Sequence, residues 1–171
     1  MERKAQPVPA DTFLDRSFQL LRIDFKPTHG QPSMVRVLLA TIVALVGSLA
    51  ADAILVAIAK AAIPSIKGYS HFVFSDYAKL TIIGVVVACI GWPIVTRISS
   101  SPRWLFFRLA IVVTLVLFLP DLYILKQGQP AKAVAVLLCM HVAIALVTYN
   151  ALVHLAPVGP AVESPHPSAN A

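Results

Sequence analysis

Four long apolar runs dominate the chain, and they leave few folds open to it. They cover about residues 37–59, 77–98, 102–125 and 130–155. As a helix at 1.5 Å per residue, the first is roughly 34 Å long, against a hydrocarbon core of about 30 Å. A segment surrounded by lipid must satisfy its own backbone polar groups, which only helices and closed barrels achieve. The expected fold class is therefore an all-α membrane protein, a four-transmembrane-helix bundle. Composition agrees, since 58% of the 171 residues are hydrophobic and 13% charged, where soluble domains average about 45–50% apolar and about 25% charged. That balance excludes a soluble enzyme, a disordered chain and a disulfide-stapled secreted scaffold. Cys89 and Cys139 both lie inside apolar runs with no C-x-x-C pair, so they read as small hydrophobes.

The punctuation between the runs supports the count. Ser75 is an expected N-cap for the second helix. Ser101-Pro102 reads as the N-cap and first helical position of the third, and Gln129-Pro130 opens the fourth in the same way. Pro157 closes it. Residues 1–36 form a separate N-terminal segment with six cationic and four acidic residues and no apolar start of a secretory signal. Within it, Thr12 is placed to cap a short helix with Phe13, Leu14, Phe18, Leu21 and Phe25 near one face. Such a helix suits the membrane interface. Residues 37–156 make up the transmembrane domain, and 157–171 a disordered tail.

Basic residues orient the bundle. With the N-terminus in the cytoplasm, nine Lys and Arg lie on the inner side and five on the outer, and every arginine is inside. Both termini are then cytoplasmic, in the plasma membrane of a bacterial cell. The net charge of +6 would suggest nucleic acid in a soluble protein. Here the cations flank apolar runs, so the expected partners are the bilayer and its anionic headgroups, and no nucleic acid. Small residues repeat every four positions at Ala53, Ala57 and Ala61, at Gly47 and Ala51, and at Ala131, Ala135, Cys139 and Ala143. These stripes are expected helix contacts.

Three ionisable residues fall well inside the runs: Asp52, Asp121 and His141. Counted from the outer helix ends, they lie at depths of roughly 10, 6 and 12 Å. Three separate helices thus put a titratable group in one outer-half layer. An Asp at the bilayer centre costs about 2.5–3.5 kcal/mol on insertion scales, so these side chains should point into the bundle. The layer is a candidate ligand or proton site, with Lys60, Tyr77 and Lys79 as further partners at the outer mouth. Pro120 removes a backbone donor beside Asp121 and is an expected kink. Transporters often build sites where such helix breaks adjoin ionisable residues.

Pro120-Asp121-Leu122, Gly128 and Met140-His141 resemble a pattern of small bacterial four-span membrane proteins of unknown function, over about residues 37–156. The resemblance implies a four-helix bundle and directs attention to Asp121 and His141. Three functions remain open on these grounds. The first is a structural or interaction subunit, as a homo-oligomer or part of a membrane complex. The second is a small-molecule or proton-handling protein with an outward-opening Asp/Asp/His site. The third is a membrane enzyme acting on a lipid-soluble substrate. No residue is assigned a catalytic role, and neither a cofactor nor a metal is expected.

Overall fold

The structure is a computed structural model that describes residues 13–23, 25 and 29–160. Thr12, Lys26, Pro27 and the tail beyond Pro160 lie outside the described residues. A short helix, α1 (Phe13–Leu21), precedes four long ones: α2 (Met34–Ala62), α3 (Phe74–Ile98), α4 (Pro102–Lys126) and α5 (Ala131–Leu155). All four are long and apolar enough to cross a membrane. Two 3-10 turns, Pro64–Ile66 and Ser70–Phe72, fill the connection between α2 and α3. One end of the bundle carries this connection together with the α4–α5 link, and is called the loop end below. The other carries every described arginine and is called the arginine end.

Local chemistry explains most helix boundaries. Ser33 caps α2, its hydroxyl accepting from the Arg36 amide at 3.4 Å. α4 stops at Gly128, whose φ of +89° a residue with a side chain adopts only at a cost. The amides of Gly128 and Gln129 return to the carbonyls of Leu125 and Ile124, the paired bonds of a Schellman ending. α3 begins before Ser75, with Val73 at the N-cap position. The Ser75 hydroxyl instead donates to Asp76 at 3.5 Å. Pro102 opens α4 as expected, although the Ser101 hydroxyl does not cap it. Pro120 lies within an uninterrupted α4.

α5 is the hub, touching α2 most extensively and also α3 and α4; α2 and α3 are paired as well. The interior divides into two apolar clusters. At the arginine end Trp92, Leu105, Phe106 and Leu152 pack with Ala40, Ala44 and Val85. At the loop end Val56, Ile66, Phe72, Tyr77, Ala133 and Met140 form the second. Between them runs a polar layer, since Ser48 and Asp52 fall between Ala44 and Val56 on α2, and Thr81 falls between Ala78 and Val85 on α3. On α5, His141 and Thr148 lie between Met140 and Ala151.

The small-residue stripes are corrected by this packing. Ala57, Ala61, Ala131, Ala135 and Cys139 are exposed on the bundle surface. The buried stripe of α2 is Ala40, Ala44, Ser48, Asp52 and Val56, also spaced by four. Spacing alone fixes several equivalent stripes on a helix. The rotation is set by the need to keep Asp52 and Ser48 away from lipid. Gly47 does meet α5, because a Cβ there would stand 2.9 Å from Val147 Cγ1.

Candidate functional site

All four long helices contribute ionisable or hydroxyl groups to the polar layer. Asp52 is fully buried, and its Oδ2 accepts a 2.6 Å hydrogen bond from Thr81 Oγ1 of α3. Asp121, on α4 next to Pro120, is 7% exposed. Its Oδ2 stands 3.1 Å from Nδ1 of His141 on α5. The same nitrogen is 3.0 Å from the Leu137 carbonyl one turn back. With the Nδ1 proton donated to that carbonyl, Asp121 Oδ2 faces the ring at ion-pair distance without a hydrogen bond directed at it. His141 also lies within electrostatic reach of Asp52. The imidazole thus pairs with Asp121 and reaches Asp52 only at longer range.

The loop end closes over this layer. Tyr69, beside the second 3-10 turn, stacks edge-on with His71 and Phe72 at ring distances of 5.2 and 5.0 Å. Both Tyr69 and His71 lie within electrostatic reach of Asp121. Burial raises the Tyr69 phenol above its ordinary pKa of 10.0, and the Asp121 charge pushes it the same way. Three buried polar atoms have no hydrogen-bond partner among the described residues: Asp52 Oδ1, Asp121 Oδ2 and Tyr69 Oη. Above the layer a cavity of about 590 Å³ is lined by Ala57, Lys60, Lys67, Tyr69, Phe72 and Tyr77.

A family model described as a family of unknown function (DUF6069) matches residues 31–157, well over half of the sequence. The chain belongs to that family. No curated protein and no solved structure matches it.

In this DUF6069 member the further partners expected at the outer mouth divide. Tyr77 is buried on α3 and lies within electrostatic reach of Asp52. Lys60 lines the cavity, but its ammonium donates to the Phe72 carbonyl at 3.2 Å and so ties the end of α2 to the connecting loop. Lys79 is exposed and makes no described contact with the three central residues. Thr81, Tyr69 and His71 are the groups that sequence reasoning missed. Thr81 carried a signal, being a hydroxyl one turn inward from Tyr77 in an apolar run. Tyr69 and His71 carried a partial one, since the aromatic makeup of their loop suggests folding back over the bundle mouth, but its approach to Asp121 is not encoded in spacing. Among the described residues no group of three His, Cys, Asp or Glu side chains is placed to hold a metal ion.

Proposed function

We propose that this chain is a plasma-membrane protein with both termini in the cytoplasm, whose bundle handles protons at a site opening to the outer side. Asp52, Asp121 and His141 are the groups that exchange the proton, with Tyr69 and His71 between them and the outer water. The observation that carries this reading is the 3.1 Å His141–Asp121 pair in one buried layer with Asp52. Two carboxylates beside one protonated imidazole bear a net charge of −1, and one more proton brings the group to neutrality. In a site walled by apolar helices net charge is costly. A cluster one proton short of neutrality is therefore suited to taking up and releasing a single proton. The His141 Nδ1 lies within reach of both the Leu137 carbonyl, which can only accept its hydrogen bond, and the Asp121 carboxylate, which can take its proton.

A second reading, a structural or interaction subunit, draws support from the same contacts. Asp52–Thr81 ties α2 to α3 and Asp121–His141 ties α4 to α5, so both pairs can serve as inter-helix latches. Full-length protein in liposomes with an entrapped pH indicator separates the two. After an external pH step, the proton-handling reading expects faster internal equilibration than in empty liposomes. It expects that gain to vanish in Asp121→Asn while the variant still elutes as folded protein. Equilibration no faster than in empty liposomes overturns proton handling and leaves the latch.

A further inference from the structure

The arginine end carries a second constructed feature, remote from the polar layer. After α1, the described residues Arg22, Ile23, Phe25 and His29 meet the ends of α3 and α4, and are called the strap below. Ile23 bridges to Ser99, the Phe25 amide donates to the Ile98 carbonyl at 3.1 Å, and the Ser99 hydroxyl donates to the Arg22 carbonyl at 2.8 Å. Buried His29 is held to the Thr96 carbonyl at 3.0 Å. Arg22 adopts φ +52°, a conformation uncommon for a residue with a side chain. From there its guanidinium donates to Ser101 Oγ at 2.9 Å.

The strap and the start of α4 enclose a groove of about 370 Å³, lined by His29, Ser101, Arg103 and Trp104 among others. That volume is in the range of small-ligand clefts. The Trp104 ring has the Arg108 guanidinium 3.9 Å and the Arg22 guanidinium 5.6 Å from its centre. Arg103 lines the groove, and Arg22 reaches its edge through the lining Ser101; arginine forks of this kind match a phosphate's several acceptor oxygens best.

The surroundings indicate where that phosphate comes from. Leu14, Leu20 and Phe25 on and after α1 are 63, 74 and 64% exposed, and Phe107 on α4 is 48% exposed. An apolar fringe around a cationic groove is the profile of a surface seated at headgroup depth, where tryptophan is also favoured. We propose that this groove binds the phosphate of an anionic phospholipid, with Arg22 and Arg103 as its cationic partners and Trp104 as the ring at headgroup level. This goes beyond a diffuse attraction of basic flanks to the membrane, because the strap positions one arginine against α4. It is also independent of proton handling at the opposite end.

The test uses the full chain in phosphatidylcholine nanodiscs doped with phosphatidylglycerol. Phosphatidylglycerol with brominated acyl chains is expected to quench Trp104 fluorescence more than brominated phosphatidylcholine at equal mole fraction. Trp92, fully buried, supplies a constant background. Arg22→Gln and Arg103→Gln should each weaken the preference about five-fold, from the roughly 1 kcal/mol per basic residue typical at anionic membranes. Lys126→Gln with Lys132→Gln, at the loop end, should leave it unchanged. Equal quenching by the two lipids, or a preference that survives loss of both arginines, overturns the proposal. A footprint of arginine modification by phenylglyoxal on the unaltered chain needs no variant. Phosphatidylglycerol should protect Arg22 and Arg103 but not exposed Arg36, whereas equal protection by inorganic phosphate in pure phosphatidylcholine discs would make the ligand a free anion.

Discussion

A carboxylate in a helix surrounded by lipid needs donors from its neighbours, and Asp52 has Thr81 on one oxygen and nothing described on the other. Thr81→Val keeps the shape and removes that donor. It should cost about 1–3 kcal/mol, the penalty for leaving a buried acceptor unsatisfied, measured as a lower unfolding midpoint in detergent. An unchanged midpoint would mean that water already serves Asp52. Tyr69 differs because it stands outside the spanning helices. Its folded pKa lies above the ordinary 10.0 through burial first and Asp121 second. The phenol's contribution is therefore fully present below about pH 10, and is lost as pH rises through the folded value. Wild type should lose more stability than Tyr69→Phe in that alkaline window, and parallel losses would place Tyr69 in water. At neutral pH, Tyr69→Phe removes a hydroxyl with no described partner, so a latch is left no weaker, while a proton path loses the hydroxyl of the loop that faces Asp121.

At the scale of elements, α2 approaches α5 tightly at Gly47, where a Cβ would stand 2.9 Å from Val147 Cγ1. Gly47→Leu should force these helices apart at a cost of about 1–3 kcal/mol, seen as reduced thermal stability of the purified protein. Full stability would show that α5 shifts freely, contrary to its place as hub. The helices were legible from the sequence because apolar length, Pro102 and Gly128 act locally. Helix rotation was not, since Ala53, Ala57 and Ala61 repeat as regularly as Ala40, Ala44, Ser48 and Asp52. The depth count that grouped Asp52, Asp121 and His141 needed only helical rise, so it could reach the layer. It could not reach the pairing within it, where Thr81 takes one carboxylate and His141 approaches the other.

On the whole-molecule scale, the two ends differ in chemistry: the arginine end carries Arg16, Arg22, Arg36, Arg97, Arg103 and Arg108, and the loop end carries Lys60, Lys67, Lys79, Lys126 and Lys132. Arginine-end-inside is the orientation expected from this asymmetry. In a background lacking Cys89 and Cys139, Gln129→Cys should react with an impermeant maleimide on intact cells and Pro160→Cys only after permeabilisation. The reverse pattern would turn the candidate site toward the cytoplasm. Tertiary contacts such as the strap over Ser99 and the Tyr69 closure depend on where loops land, so no periodicity announced them. The central claim, that the buried acids exchange a proton, is tested most directly by infrared titration of full-length protein carrying ¹³C-labelled aspartate. The account predicts a protonated-carboxyl band that rises and falls reversibly with external pH and is lost or reshaped in Asp52→Asn and Asp121→Asn. Aspartate bands that stay constant while pH changes, in protein that remains folded, would contradict it.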